Sequence, residues 1–314
     1  MKSQVAVFLR ACELDVLALK PGNVGDHGAG HDMTAADFRA SARAAAPALC
    51  DPGLGVGERV YWAMEATWDV VGRNTNLGIL LLAAPLIHAT QRRLPGESLR
   101  ARLRRVLAGL DREDADWVYR AIRLANPGGL GHSERHDVAQ PPAVSLLAAM
   151  HEAAGRDRIA RQYTSGYADI FDAGLPRLRD GRLRWRAEER AVTEVFMGYL
   201  ADFPDSHVQR KYGTASAEAV RAQAEACRAA TRDCPDWRSH RARLLDLDIA
   251  LKAAGINPGT SADLTVATCL AERLAALEFE TQRVPVDGSA PDREIWLAEP
   301  TFIVSSQGGC HGKD

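Results

Sequence analysis

The N-terminal segment carries apolar side chains at helical spacing. They recur every three or four residues, at Val5, Phe8, Leu9, Cys12, Val16 and Leu19. This spacing places them on one face of an α-helix, the face that a helix buries against its neighbours. Pro21 and Gly22 follow and stop the helix, since neither residue favours its continuation. The pattern therefore predicts an amphipathic first helix that ends where a glycine-rich segment begins.

Two later segments predict helices at the centre of the molecule. The segment from Leu77 to Ile87 is apolar on nearly every side, which is typical of a helix enclosed by others in a bundle. A second long helix is expected to open near Pro258-Gly259. Its inward face is formed by Leu264, Ala267, Leu270, Leu274 and Leu277.

Further helices are expected along most of the chain. Thr34 is placed to cap one of them, with Asp37 as its capping-box partner. The other helices are expected at about 35–50, 58–71, 97–110, 111–124, 156–171, 187–200, 215–232 and 237–254, with one more opened by Pro141-Pro142 that turns Val144, Leu147 and Met150 inward. Residues 172–176 are expected to end a helix, and Gly181 to interrupt a basic surface segment.

These elements predict an all-α fold, a single multi-helix bundle over residues 1–278 with its active-site loops at helix ends. From Phe279 the character changes. Phe279, Thr281, Val284 and the apolar residues after Ile295 suggest extended segments or a small β-hairpin. The Gly-rich tail from Ser305 is expected to be disordered. Residues 279–314 are therefore assigned to a C-terminal extension.

Composition excludes several classes of protein. Of the 314 residues, 46% are hydrophobic and 25% are charged, and the formal net charge is −2. A nearly neutral chain is not expected to bind nucleic acid or a membrane surface as its main task. Six cysteines form no CxxC pair, and no signal peptide or membrane-spanning run is recognised. We therefore expect a reduced, cytoplasmic protein, whose oligomeric state is left open with a homodimer as one option.

Polar, glycine-containing clusters recur at the predicted helix ends. They occupy residues 20–33, 73–78, 126–137, 172–176, 203–211 and 257–263. Helix ends on one side of a bundle can converge on a single cleft. Helix N-termini with Lys20, Arg73 and Arg210, beside several carboxylates, would suit a polyphosphate bound with Mg²⁺. The chain has no Walker A motif, GxSxG elbow or HExxH helix, so other common sites are not indicated.

The cluster at 20–33 has more chemistry than a helix connection needs. Its glycines allow close backbone approach to an anion, Lys20 supplies positive charge, and Asp26 and Asp32 supply hard oxygen ligands for Mg²⁺. The alternative is a solvated loop whose polar residues cap helices. The same alternative applies to Asn74 and Asn76, and to Ser261 and Asp263, because such residues favour helix N-caps.

The ordered motifs resemble the triphosphoribosyl-dephospho-CoA synthase family. The resemblance spans residues 5–278 and is strongest at the lysine-proline-glycine loop and at the start of the last helix. The matching segments are Lys20-Pro21-Gly22, Gly30-His31-Asp32-Met33, Asn74-Thr75, Gly174-Leu175-Pro176 and Asn257-Pro258-Gly259-Thr260-Ser261-Ala262-Asp263-Leu264.

This resemblance implies a transferase that uses ATP and dephospho-CoA. The 2′-hydroxyl of dephospho-CoA would displace adenine from C1′ of ATP through an oxocarbenium-like state. Asp32 and Asp263 are candidates for metal ligation or for the base, and His31 is a candidate proton donor. The candidate phosphate- or substrate-binding residues are Lys20, Gly22, Asn23, Arg73, Asn74, Asn76, Arg210, Gly259 and Ser261. The candidate Mg²⁺ ligands are Asp32, Glu134, Asp137 and Asp263.

The sequence also departs from the family pattern. Asn76 and Leu77 stand where typical members have a His-Lys pair, and Asp205-Ser206-His207 only loosely matches the family's Asp-Thr-Asn. The loop from Gly128 to Asp137 and the segment Asn74-Thr75-Asn76-Leu77-Gly78 resemble a divergent branch found alongside one-carbon cofactor biosynthesis. Two alternatives therefore stay open: a related transferase acting on a phosphorylated intermediate of methanopterin or methanofuran synthesis, and a non-catalytic helical interaction protein.

Overall fold

The protein is all-α, as predicted, in a computed structural model that describes residues 2–94, 96–129, 131, 135–234 and 236–282. Over these residues the chain forms fourteen α-helices and one π-helical turn. In chain order the elements are α1 (Lys2–Leu17), α2 (Ala35–Leu49), α3 (Val56–Val71), α4 (Leu77–Gln91), α5 (Leu99–Ala108), α6 (Arg112–Ala125), α7 (Leu146–Ala153), α8 (Arg158–Ser165), the π-helical turn (Asp169–Gly174), α9 (Leu175–Trp185), α10 (Glu188–Asp202), α11 (Ser206–Tyr212), α12 (Thr214–Thr231), α13 (Trp237–Ala253) and α14 (Gly259–Gln282).

Helices α4 and α14 form the centre of the bundle. α14 packs against α1, α4 and α10, and α4 also packs against α3 and α5. Nearly every side chain of α4 is buried, from Leu77 to Thr90 with only two partly exposed positions. The apolar run therefore forms the enclosed helix that its composition predicted, and its N-terminus faces inward.

Pro85 lies inside α4 and removes one backbone donor from it. The missing N–H would have bonded to the carbonyl of Leu81, four residues earlier. Instead the buried hydroxyl of Tyr163 donates to the Leu81 oxygen at 2.6 Å, and the hydroxyl of Tyr167 donates to the Leu82 oxygen at 3.0 Å. Two tyrosines near α8 thus satisfy backbone groups of the central helix.

Local signals in the sequence place several helix starts correctly. Thr34 caps α2: its hydroxyl accepts from the Asp37 N–H at 3.3 Å, and its own N–H donates to the Asp37 carboxylate at 2.7 Å. Cys12 and Cys269 are buried, as expected for thiols on inward helix faces.

Four local predictions are corrected by the structure. The helix expected at 156–171 is interrupted, because α8 ends at Ser165 and Gly166 has a φ of +64°. α7 begins at Leu146, four residues after the Pro141-Pro142 pair, so Val144 lies outside it. Residues 172–176 do not end a helix, because the π-helical turn continues into α9. Gly181 lies within α9 and allows α10 to approach, since a Cβ there would be 2.9 Å from the Ala191 Cα.

A second, smaller group of buried apolar side chains joins α10, α12 and α13. α14 continues to Gln282, past the expected boundary at residue 278. The expected β-hairpin and the tail fall in residues 283–314, outside the described part of the chain. Within the described part, every helix is too short or too polar to cross a membrane.

Candidate active site

Five of the six polar clusters meet at one cavity of about 510 Å³ beside the N-termini of α4 and α14. We call it the first cavity. Residues from 20–33, 73–78, 203–211 and 257–263 line it, and the start of the cluster at 126–137 closes one side. Among the sequence-predicted residues, it is lined by Asn23, His31, Arg73, Asn74, Asn76, Arg210, Gly259 and Asp263. The cluster at 172–176 is not part of it; Asp172 instead pairs with Arg100 on the surface.

Asp263 lies against the N-terminus of α4. A Cβ built on Gly78 would stand only 2.0 Å from Oδ2 of Asp263, so the carboxylate occupies the space that the missing side chain leaves. Desolvation, with Asp15 and Asp205 nearby, raises the pKa of Asp263 well above its usual range. The side chain stays partly exposed toward the cavity. A carboxylate so placed gains strongly from a cation bound in front of it.

Asp15 on α1 is a second carboxylate of the cavity, 3% exposed. Its Oδ2 pairs with Nζ of Lys20 at 2.5 Å, while its buried Oδ1 has no hydrogen-bond partner among the described residues. Desolvation raises the pKa of Asp15 despite the attraction of Lys20. Lys20 itself is fully buried behind Asp15 and also donates to Asn23 Oδ1 at 2.7 Å. Lys20 therefore supports the carboxylate rather than facing the cavity.

The glycine-rich loop is built around Gly22, whose φ is +79°. A Cβ there would be 3.0 Å from the Ile256 carbonyl, so only glycine allows this approach. Its N–H donates to Asp248 Oδ1 at 2.8 Å, and its carbonyl accepts from His31 Nε2 at 2.9 Å. Both backbone groups are thus used within the protein, and Gly22 positions His31 instead of binding an anion.

His31 and Asp32 are the central residues of a two-residue turn. Both have positive φ, 55° and 60°, and the turn is closed by reciprocal hydrogen bonds between Gly30 and Met33. This geometry is a type I′ turn. It aims His31 into the cavity while Asp32 is exposed and does not line it. Because a carbonyl only accepts, Nε2 of His31 carries the proton, and Nδ1 of the neutral ring is an acceptor.

Three nitrogen-bearing side chains stand around the cavity mouth and the opposite wall. Arg73 is exposed and donates to the Asp32 carbonyl. Arg210 donates to the Gly128 carbonyl at 3.3 Å and pairs with Asp157 Oδ2 at 3.3 Å. Desolvation, with Arg210 nearby, lowers the pKa of His207 to about 4, so that ring is neutral near pH 7.

The asparagines before α4 divide between capping and lining. Asn74 Oδ1 accepts from the Leu77 N–H at 3.2 Å, the capping role that was the alternative for it. Asn76 is 5% exposed and donates to Thr67 at 3.0 Å, but its buried Oδ1 has no partner among the described residues. A second unpaired oxygen thus lines the first cavity beside the α4 N-terminus.

Ser261 is a structural residue in this arrangement. Its N–H and hydroxyl both donate to Asp205 Oδ2, at 2.7 and 2.8 Å, and Ser261 is fully buried. Asp205 also caps α11 through the N–H groups of His207 and Val208. The predicted contact of Ser261 with substrate is therefore replaced by a link between α11 and α14.

The three predicted metal ligands that the structure describes do not converge. Asp32 is exposed on its turn, Asp137 lines a different cavity, and Asp263 lies in the first one. Glu134 lies outside the described residues. Among the described residues, no three His, Cys, Asp or Glu side chains form a metal-binding group by themselves. Any Mg²⁺ here would need ligands from the substrate, as is usual when it binds with phosphates.

Sequence reasoning missed Asp15, Asp157, His207 and Gly78. Asp15 did carry a signal, because it falls at helical spacing between Cys12 and Leu19 on the buried face of α1. A carboxylate on such a face is rare unless it is paired or functional. Gly78 could not be recognised, since its role depends on Asp263, far away in sequence.

Comparisons with known proteins agree on one family. The family model described as CitG, ATP:dephospho-CoA triphosphoribosyl transferase, matches residues 2–281. A 2-(5''-triphosphoribosyl)-3'-dephosphocoenzyme-A synthase from Klebsiella pneumoniae is 32% identical over 111 residues, which are 35% of this chain and 39% of that protein. A crystal structure of a candidate triphosphoribosyl-dephospho-CoA synthase from Archaeoglobus fulgidus has a TM-score of 0.56 and 27% identity, covering 74% of this chain and 97% of that one.

Proposed function

The chain belongs to the CitG family of ATP:dephospho-CoA triphosphoribosyl transferases, and from that premise we propose that it transfers the triphosphoribosyl group of ATP to dephospho-CoA. Neither of the two alternatives considered from the sequence gains support from the comparisons. The substrates make the cytoplasm the expected compartment.

The proposed reaction exchanges one bond to the ribose for another. The 2′-oxygen of dephospho-CoA forms a bond to C1′ of ATP, and the C1′–N9 bond to adenine breaks. The 2′-hydroxyl loses its proton, adenine leaves with the bonding electron pair and takes up a proton, and the triphosphate stays on the sugar. Such a site needs a base near the hydroxyl and neutralisation of the triphosphate.

One observation carries the proposal: Asp263, Asp15 and Asn76 bring two carboxylates and an amide to the first cavity. Asp263 is set in the notch of Gly78, and the buried Oδ1 atoms of Asp15 and Asn76 have no hydrogen-bond partner among the described residues. Hard oxygens of this kind fit Mg²⁺, which is held by one or two carboxylates plus substrate phosphates. When bound, Mg²⁺ would neutralise triphosphate charge, and Asp15 and Asp263 would hold it.

Positive groups at the rim fit the rest of the triphosphate. Arg73 and Arg210 both line the first cavity and can donate to phosphate oxygens. The first turn of α4 adds the positive end of a helix dipole beside Asn76. Asp32, Gly22 and Ser261 are not substrate contacts in this proposal. Gly22 and Ser261 form hydrogen bonds within the protein, and Asp32 lies outside the cavity.

His31 is the proposed base. Its Nε2–H is held by the Gly22 carbonyl, so Nδ1 is the nitrogen left to accept a proton. His31 also lines the cavity that holds both reacting groups in this proposal. This differs from the role of proton donor expected from the sequence.

The test is to incubate the full chain with ATP, Mg²⁺ and dephospho-CoA and to measure the free adenine that is released by chromatography. We expect adenine only when all three are present, and none after chelation of the metal. Asp263→Asn should lower the rate by at least about a hundredfold, as loss of one key electrostatic group does.

The matched control is Asp180→Asn, an exposed carboxylate on α9, which should leave the rate unchanged. Absence of adenine with folded wild-type protein would refute the proposed reaction. Equal rates for wild type and Asp263→Asn would refute the assignment of the carboxylate.

A further inference from the structure

A second cavity of about 410 Å³ adjoins the first. It lies between α6, α7 and α8, and its floor is apolar, formed by Val118, Ile122, Leu146, Met150 and Ile159. Arg135, His136 and Arg156 stand at its edge. Its size falls within the range of small-molecule sites, and the reaction chemistry described above does not use it.

The two cavities share one wall. Leu81, Ile122, Asp157, Ile159 and Arg210 line both of them. Asp157 caps α8 through Oδ1 and holds Arg210 through Oδ2, so a guanidinium is fixed at the junction. A ligand that occupies both cavities therefore lies next to this positive group.

We propose that the second cavity binds the pantetheine arm of the acceptor, an inference that rests on the proposed function. The acceptor has three chemically distinct parts: a nucleoside, a diphosphate, and a long uncharged arm with methyl groups and amides. The nucleoside must lie in the first cavity, where its 2′-oxygen meets C1′. The diphosphate then passes Arg210, and the arm enters the apolar cavity, which would bury its methyl groups.

ATP does not fit the two cavities in the same way, with its far end in the second cavity. Its triphosphate is anionic to the end, and an apolar floor would desolvate it without compensation. The first cavity offers the carboxylate and amide oxygens for a metal and the N-terminus of α4. The polar first cavity is therefore assigned to ATP and the reacting riboses, and the apolar second cavity to the pantetheine arm of the acceptor.

Ala149 on α7 allows a direct test. Its side chain lines the second cavity and is partly buried, whereas Ala148 beside it is exposed and does not line it. Ala149→Phe should fill the cavity and raise the KM for dephospho-CoA about tenfold, a loss of about 1.4 kcal/mol of binding. The KM for ATP should change less than twofold. Ala148→Phe, the same change on the same helix, should leave both values as in wild type.

Binding of 4′-phosphopantetheine, measured by calorimetry, tests the cavity without the reaction. This probe has the arm and one phosphate but no nucleoside. Wild type and Ala148→Phe should bind it, and Ala149→Phe about tenfold more weakly. Ala149→Leu is a smaller filling that keeps the test valid if the phenylalanine variant does not fold, as judged by circular dichroism.

Two outcomes overturn the inference. One is that wild type does not bind 4′-phosphopantetheine, and the other is that filling the cavity changes neither its binding nor the KM for dephospho-CoA. Failure of the proposed function gives a different result. In that case no adenine is released, although 4′-phosphopantetheine still binds and Ala149→Phe weakens its binding.

Discussion

At the scale of single residues, the site depends on the absence of a side chain at Gly78. Alanine usually stabilises a helix interior relative to glycine by about 1 kcal/mol. At Gly78 the added methyl would stand 2.0 Å from Asp263 Oδ2 and 2.8 Å from the Ile159 side chain. The carboxylate would have to move, and with it the metal that it is proposed to hold.

We therefore expect Gly78→Ala to lower adenine release about a hundredfold, the usual effect of a displacement of about 1 Å at a reacting site. Gly109→Ala is the control, because its Cβ would meet nothing closer than 3.6 Å and its φ is −92°. Circular dichroism should show both variants folded. Normal turnover of Gly78→Ala would mean that the notch for Asp263 has no catalytic role.

Residue roles were the hardest feature to predict from the sequence. Lys20, Gly22 and Ser261 were expected to contact phosphate, yet each is committed to a partner within the protein. Their partners, among them Asp248 and Asp205, lie up to 226 positions away, so spacing alone could not reveal them. Motif residues can therefore lie next to a candidate site and hold its elements together instead of lining the cavity.

At the scale of elements, Asp205 connects two helices that bound the first cavity. It is fully buried and accepts four hydrogen bonds, two from Ser261 on α14 and two from N–H groups of α11. An asparagine at this position would replace one accepting oxygen by an NH₂ group, which would face the N–H and O–H donors of its neighbours. Asp205→Asn is therefore expected to lower the free energy of unfolding by about 3 kcal/mol, measured by urea denaturation.

Asp236→Asn provides the comparison for this loss. Asp236 caps α13 at an exposed site, accepting from the Ser239 N–H at 2.9 Å. Asparagine caps a helix about as well as aspartate does, so this variant should unfold at nearly the same urea concentration as wild type. Similar losses for the two variants would show that Asp205 acts as an ordinary cap.

Helices themselves were predictable because their signals are local. The helical spacing of apolar residues predicted α1, and the apolar run after Asn76 predicted α4. The Thr34–Asp37 pair predicted the start of α2. Errors fell at residues 141–144 and 172–181, where proline and glycine suggested breaks that tertiary packing decided. Another fell at Gly166, whose φ of +64° ends α8 within the helix expected at 156–171. Pro176 lies in the first turn of α9, where a missing N–H costs little.

At the scale of the whole molecule, buried histidines link stability to pH. Desolvation, with Arg59 and Arg92 nearby, lowers the pKa of His88 on α4 to about 4, against about 6.5 in an unfolded chain. Between these values the unfolded chain binds the extra proton. Stability contributed by neutral His88 is thus complete above pH 6.5 and is lost as the pH falls toward 4.

We expect the free energy of unfolding to fall by roughly 1 to 2 kcal/mol from this histidine over that range, less than the full shift implies because solvent screens the partly exposed ring. Burial raises the pKa of Asp15 and Asp205, which acts in the opposite direction, so the measurement compares variants. His88→Gln should flatten the urea-derived pH profile relative to wild type. Parallel profiles for the two proteins would contradict the assignment.

The wall between the two cavities has a consequence for how substrates bind. Because Arg210 and Asp157 belong to both cavities, occupancy of one changes the electrostatic surroundings of the other. Thermodynamic reciprocity then requires that ATP alter the affinity for the acceptor by the same factor by which the acceptor alters the affinity for ATP. The protein thus has, in a single ion pair, the means to make the two substrates bind cooperatively rather than independently.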